Sequence, residues 1–135
     1  MVDFTKVLIE NPNGVLATYD GERVKTRVFQ YLFTIDGNIY FCTGNDKEVY
    51  QQIKQFPRVS FCTYAPDFSP VLSVNGKAHF VDDAGLKKRV LDENPGIKAI
   101  YQSHENPVFE LFFIDAEEYD TFSFEEGPRK YSANH

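Results

Sequence analysis

"YFCTGNDKEVYQQI", residues 40–53, carries the chain from an apolar strand-like stretch into a segment with helical spacing. Val49, Ile53 and Phe56 recur at i, i+4 and i+7, so a helix is expected from about Asp46 to Phe56, closed by Pro57. Between strand and helix lies the polar turn Thr43-Gly44-Asn45-Asp46-Lys47. A turn that opens a helix presents backbone N–H groups without intrahelical partners, and these attract an anion. The same turn also reads as a plain cap, with Asn45 and Glu48 as a capping-box-like pair. The first reading implies a bound ligand; the second implies only a small folded domain.

Working outward, residues 3–10 read as a short helix capped by Asp3, with Phe4, Val7 and Leu8 on one apolar face and Asn11-Pro12 at its end. Three strands follow, "GVLATY", "ERVKTRVFQYLFTI" and "NIYFCT", divided by Asp20-Gly21 and Asp36-Gly37. Asp-Gly is a strong hairpin signal because both central residues tolerate positive φ. After the helix, "RVSFCTY" is a fourth strand and "VLSVNGKAHFVDD" a long fifth, with a bend at Gly76. Asp82-Asp83 opens a helix near 83–93 on Leu86 and Val90, and Asn94-Pro95 opens another near 95–102. "VFELFFIDAEEYDTFSF" reads as a final strand or a bent pair, with Glu117-Glu118 and Glu125-Glu126 as solvated turns. The tail from about residue 125 is polar and reads as loose. Six strands with helices and no regular βα alternation give a mainly β class with helices. The expected architecture is a small barrel forming one domain over 1–135.

Hairpin arithmetic sharpens the question of the turn. A two-residue loop at Asp36-Gly37 makes paired numbers sum to 73, so Gln30 faces Thr43 and Leu32 faces Phe41. By extrapolation Arg27 lies level with Asp46. A two-residue loop at Asp20-Gly21 gives a sum of 41 and sets Gly14 opposite Arg27. Two cations, Arg27 and Lys47, then converge on a helix amino terminus, which is what a phosphate monoester needs. Equally, Arg27 could pair with Asp46 while Lys47 stays solvated.

Charge and composition exclude several classes. The formal net charge is −6, from 14 basic and 20 acidic residues, which argues against nucleic acid and against anionic membrane surfaces. A single phosphate needs only two or three local cations and remains compatible. No stretch approaches about 18 apolar residues, and the amino terminus does not resemble a signal peptide. Cys42 and Cys62 lack metal-ligand spacing and read as reduced thiols of a cytoplasmic protein. His79, His104 and His135 are too scattered to form a metal set, and Cys42 has no basic neighbour that would make it a nucleophile. Phe29, Tyr31 and Phe33 share one face of the second strand, with Val28 and Leu32 on the other. Two apolar faces imply that both are covered, one by a helix or a partner subunit.

The run "NGVLATYDGERVKTRVFQYLFTIDGNIYFCTGNDKEVYQQIKQFPRVSFCTY", with "VNGKAHFVDD" and "NPGIKAIYQSHENPVFELFFI", resembles the pyridoxamine 5'-phosphate oxidase-like, FMN-binding split-barrel proteins. The likeness is closest to short bacterial members of uncharacterised function. It implies a six-stranded split barrel that forms a homodimer, with FMN in each of two clefts between subunits. It assigns cofactor contacts to Arg27, Val28, Phe29 and Gln30 on the second strand. Cys42 and Thr43 follow at the end of the third, and Asn45 and Lys47 at the helix opening. No catalytic side chain is implied, because the flavin carries the chemistry. A reduced nicotinamide donor and a small flat acceptor, such as a quinone or nitroaromatic, are the implied partners. The alternatives are a non-enzymatic flavin-binding, electron-carrier or stress protein, and a relative holding haem, a deazaflavin or no cofactor in the same cleft. The chain departs from the family pattern in three places. It has Asn-Asp-Lys where true oxidases carry Ser-Arg-Lys, and it has Val71 and Ser73 where relatives show Gln or Trp followed by Arg. "TFSFEEGPRKYSANH" has no counterpart of the oxidases' substrate pocket.

Overall fold

The computed structural model describes residues 3–133. Among them are four helices, α1 (Phe4–Glu10), α2 (Glu48–Gln55), α3 (Ala84–Glu93) and α4 (Pro95–Tyr101). Eight strands accompany them: β1 (Asn13–Tyr19), β2 (Val24–Gln30), β3 (Phe33–Ile35), β4 (Asn38–Gly44), β5 (Arg58–Tyr64), β6 (Val71–Val81), β7 (Phe109–Ser123) and β8 (Gly127–Ser132). All pairs are antiparallel in one open sheet of order β2-β1-β5-β6-β7-β4-β3, with β8 against β7. The mainly β class with helices is as expected; the strand count is eight among the described residues, not six.

Local signals account for most boundaries. The Asp3 carboxylate accepts the Lys6 N–H at 3.0 Å and that of Asp83 accepts the Leu86 N–H at 3.0 Å, so both helices begin on a side-chain cap. Pro95 occupies the first turn of α4, where its missing N–H costs nothing. The long β6–β7 ladder shifts register between Asn75 and Gly76, and a Cβ at Gly76 would collide with the Asp115 carbonyl. Only glycine allows that approach, so the bend expected there is a bulge.

Two hairpins differ in width. Asp36 and Gly37, at φ 52° and 81°, form the tight turn, and Ile35 pairs with Asn38 as the sum of 73 requires. At the first hairpin the Asp20 carboxylate accepts the N–H groups of both Glu22 and Arg23, which widens the loop to four residues. Tyr19 therefore pairs with Val24, Leu16 rather than Gly14 lies opposite Arg27, and Gly14 faces Phe29. The β3–β4 ladder also stops at Phe33↔Tyr40, so Gln30 and Thr43 are not paired. The Tyr31 N–H turns away to donate to the Pro12 carbonyl at 2.7 Å. The expected second strand is thus two strands, lying at opposite ends of the sheet.

The carboxyl-terminal expectations need correction as well. β7 is one strand of 15 residues, and Glu117-Glu118 lies within it rather than in a turn. Glu117 pairs with Arg58, while Glu118 accepts from Asn75 and Lys130. The tail expected to be loose forms β8, clipped to β7 by Lys130 to Asp120 at 2.9 Å. Phe4 of α1 stacks on Tyr119 at 4.2 Å and meets Tyr131 at 5.5 Å, closing that end.

The main core gathers Phe41, Phe61 and Phe112, all fully buried, with Leu16, Leu72, Val74 and Ile114. A second cluster packs Val90 and Leu91 of α3 against Phe33, Tyr40, Phe109 and Leu111. Phe29 of β2 reaches across to Phe112 at 5.7 Å and Phe41 at 6.2 Å, joining two ends of the sheet without a backbone ladder. Phe112 contacts Phe29, Phe41 and Phe80 together. Phe112→Ala should therefore lower unfolding stability by about 3–5 kcal/mol, read as an earlier midpoint in urea at unchanged slope.

Candidate functional site

Where Phe29 bridges the sheet ends, a cavity of about 350 Å³ opens between β2, the end of β4, the start of α2, and α4. Its walls include Arg27, Val28, Phe29 and Gln30 from β2 and Cys42 and Thr43 from β4. Lys47 and Val49 enter from the helix opening, and Ile97, Ile100 and Tyr101 from α4. Seven of the eight residues singled out in the sequence line this one space. Asn45 does not. Its side-chain amide donates to the Pro107 carbonyl at 2.7 Å and the Glu110 carboxylate at 2.9 Å.

That diversion answers the question of the turn. Lys47 occupies the N-cap position of α2 at φ −98° and ψ 149°, and no side chain caps the helix. The capping box between Asn45 and Glu48 does not form. The opening turn has no side-chain cap at the cavity rim and lies between the exposed Lys47, which makes no ion pair among the described residues, and the acidic Glu48 of the first turn.

Arg27 reaches the site by a different route from the hairpin extrapolation. Its Nη1 donates to the Leu16 carbonyl at 3.1 Å and to Thr18 Oγ1 at 2.8 Å, and Nη2 donates to Gln52 Oε1 at 2.9 Å. The pairing with Asp46 is not made. Burial lowers the Arg27 pKa from its ordinary value, and the more distant Glu48 carboxylate opposes that. The chain has five arginines, and Arg23, Arg58, Arg89 and Arg129 each meet a carboxylate. Arg27 alone among the described arginines is held only by neutral acceptors.

The rest of the wall is neutral. Burial pushes the Cys42 thiol up to about 12. The Tyr101 hydroxyl is also raised, first by burial and then by Cys42 and Asp46. Both stay protonated and can only donate or accept weakly. Thr43 is buried, and its Oγ1 is the one buried side-chain polar atom without a hydrogen-bond partner among the described residues. An orphaned hydroxyl in a cavity wall costs about 1–3 kcal/mol unless something fills the bond. Two cations, an open helix turn and a partnerless hydroxyl beside Val49, Ile97 and Ile100 suit a molecule with a dianionic end and a flat apolar end. The donor set therefore fits FMN.

Sequence reasoning missed Thr18, Gln52 and the α4 wall. Ile97, Ile100 and Tyr101 did carry a signal, since they recur at i, i+3 and i+4 in "GIKAIY". No group of three or more potential metal ligands occurs among the described residues. His79 packs on Phe113 away from the cavity, His104 lies 3.9 Å from Glu105, and His135 falls outside the described residues. No described helix is long and apolar enough to cross a membrane.

Residues 3–123 match the family model described as pyridoxamine 5'-phosphate oxidase. The chain belongs to that family. No curated protein matches the sequence. Among solved structures, a NimC/NimA family protein from Clostridium acetobutylicum aligns with TM-score 0.84 at 23% identity, covering 95% of this chain and 88% of that one. A pyridoxamine 5'-phosphate oxidase-related, FMN-binding protein from Nostoc punctiforme aligns with TM-score 0.67 at 19% identity, covering 91% and 81%. A heme-binding protein from Mycobacterium smegmatis aligns with TM-score 0.75 at 17% identity, covering 93% of this chain and 55% of that one. At such identities these likenesses establish the split-barrel fold of the pyridoxamine 5'-phosphate oxidase family and no particular ligand.

Because the thiolate is the reactive form, Cys42 should resist alkylation in the folded protein at every pH well below about 12. Mass spectrometry after iodoacetamide treatment should find Cys42 modified only once the chain is unfolded.

Proposed function

We propose that this protein binds FMN in the cavity between β2, β4, α2 and α4, and acts as a flavin-dependent oxidoreductase on a small flat acceptor. The observation that carries the reading is Arg27, the arginine with no carboxylate partner, lining one cavity with Lys47 in a chain of net charge −6. In an acid-rich chain, a partly buried arginine held by no carboxylate, beside a lysine that makes no ion pair among the described residues, suits an external anion. Arg27 and Lys47 would hold the phosphate, and the α2 opening would add its N–H groups. The Thr43 hydroxyl, buried and without a partner among the described residues, would donate to a phosphate oxygen once its side chain turned toward the cavity. Val28, Phe29 and Gln30 present the β2 edge to the ring system. Bound FMN would supply the hydride and electron chemistry, while these residues set its orientation and limit access of water.

The same strand supports a homodimer. Val24 and Val28 are 72% and 70% exposed on the outer face of β2, and Ile100 is 71% exposed at the cavity wall. A second copy covering them would shield both the apolar strand face and the cofactor. Electrons would come from a reduced nicotinamide and pass to an acceptor such as a quinone or nitroaromatic. The haem alternative is weaker here. The lining residues offer no histidine or methionine to an iron, and burial holds both Cys42 and the one oxygen candidate, the Tyr101 phenol, in their protonated forms.

The test begins with colour. Purified protein should carry or take up flavin absorbing near ~450 nm, and should oxidise a reduced nicotinamide in the presence of an acceptor. A Soret band, or no flavin uptake, would contradict the reading; flavin uptake without turnover would make it a carrier. Arg27→Ala combined with Lys47→Ala should weaken FMN binding by about 3–6 kcal/mol, two charge-assisted contacts, as measured by flavin fluorescence titration.

A further inference from the structure

Gln52 stands out on α2. It lies on the buried face with Val49 and Ile53 and is itself only 8% exposed, although an apolar residue would serve that packing better. Its Oε1 accepts from Thr18 Oγ1 at 2.6 Å and from Arg27 Nη2 at 2.9 Å. Thr18, 2% exposed, accepts in turn from Arg27 Nη1 at 2.8 Å. The three side chains form a closed triangle, and the Leu16 carbonyl completes the hold on Nη1.

We infer that Thr18 and Gln52 are positioning residues for anion binding: a charge-free clamp that fixes the Arg27 fork while leaving its positive charge to the ligand. The inference rests on the FMN reading above. A guanidinium carries five N–H donors. Three are engaged by the clamp, and Nε–H and one Nη2 hydrogen remain without a partner among the described residues. Those two are the pair available to a phosphate. A glutamate at position 52 would anchor the fork equally well but cancel its charge, as carboxylates do for the other four arginines. The amide at 52 anchors without cancelling. Fixing the fork before the ligand arrives removes an ordering cost from binding.

The experiment compares FMN with riboflavin, which lacks the phosphate, on the full-length protein. Gln52→Glu keeps the acceptor oxygen and the volume, so folding is preserved, and thermal unfolding checks it. FMN affinity should fall about tenfold to a hundredfold while riboflavin affinity holds, the size of one charge-assisted contact. Thr18→Val should lower the FMN-to-riboflavin ratio in the same direction, and Thr18→Ser, which restores the hydroxyl, should recover it. If wild type prefers FMN and both Gln52→Glu and Thr18→Val keep that preference, the clamp is refuted while the FMN reading stands. If the variants lose FMN and riboflavin equally, Thr18 and Gln52 serve packing alone, and the inference is again refuted. If wild type shows no preference for FMN over riboflavin, the phosphate placement itself fails, and the clamp with it.

Discussion

β2 is tied by backbone hydrogen bonds to β1 alone, yet everything at the candidate site depends on where β2 lies relative to β4 and α2. Side chains settle that position. Phe29 packs against Phe41 and Phe112 across the seam, and Arg27 is bonded to Gln52 of α2. The apolar contact draws the two sheet ends together, and the polar one fixes their offset. A ladder running straight from β2 into β4 would have filled this space with backbone. Because the chain leaves the ladder at Tyr31, the barrel stays split, and the split holds the cavity.

The electrostatics of the seam differ from those of the rest of the surface. Elsewhere each described arginine meets an acid, as Arg58 does with Glu117, and Lys130 meets Glu118 and Asp120. Such exposed pairs contribute little stability and mainly keep the surface neutral patch by patch. At the seam Arg27 meets an amide, a hydroxyl and a carbonyl, and Glu48 acts on it without an ion pair. Keeping a partly buried charge unneutralised costs folding energy, which a bound dianion would return. The partnerless Thr43 hydroxyl belongs to the same pattern. In both places the fold keeps a polar group that it does not satisfy itself.

Short-range chemistry in the sequence carried most of the fold. The Asp36-Gly37 turn, the caps at Asp3 and Asp83 and the Asn94-Pro95 entry are all settled by residues within four positions of each other, while the glycine at 76 marked a bend whose cause, the Asp115 carbonyl, lies on another strand. Apart from the width of the first hairpin, what escaped was decided by distant partners. The Asp20 loop widened by two residues through its own carboxylate, but a shift of two leaves every side chain on its original face, so Arg27 still pointed to the site. Asn45 looked like a cap because its preferred partners, Pro107 and Glu110, lie more than sixty residues away. β8 looked like a loose tail because its stabilising partner is the edge of β7, and polar strands carry no periodic signal of their own. Thr18 and Gln52 are 34 positions apart and meet only in three dimensions.

A crystal structure of the protein reconstituted with FMN addresses the central claim most directly. It should show the phosphate within hydrogen-bonding reach, about 2.7–3.2 Å, of both the Arg27 guanidinium and the Lys47 ammonium, with the Thr43 hydroxyl newly paired. A flavin whose phosphate lies elsewhere, with Arg27 and Lys47 untouched, would contradict it.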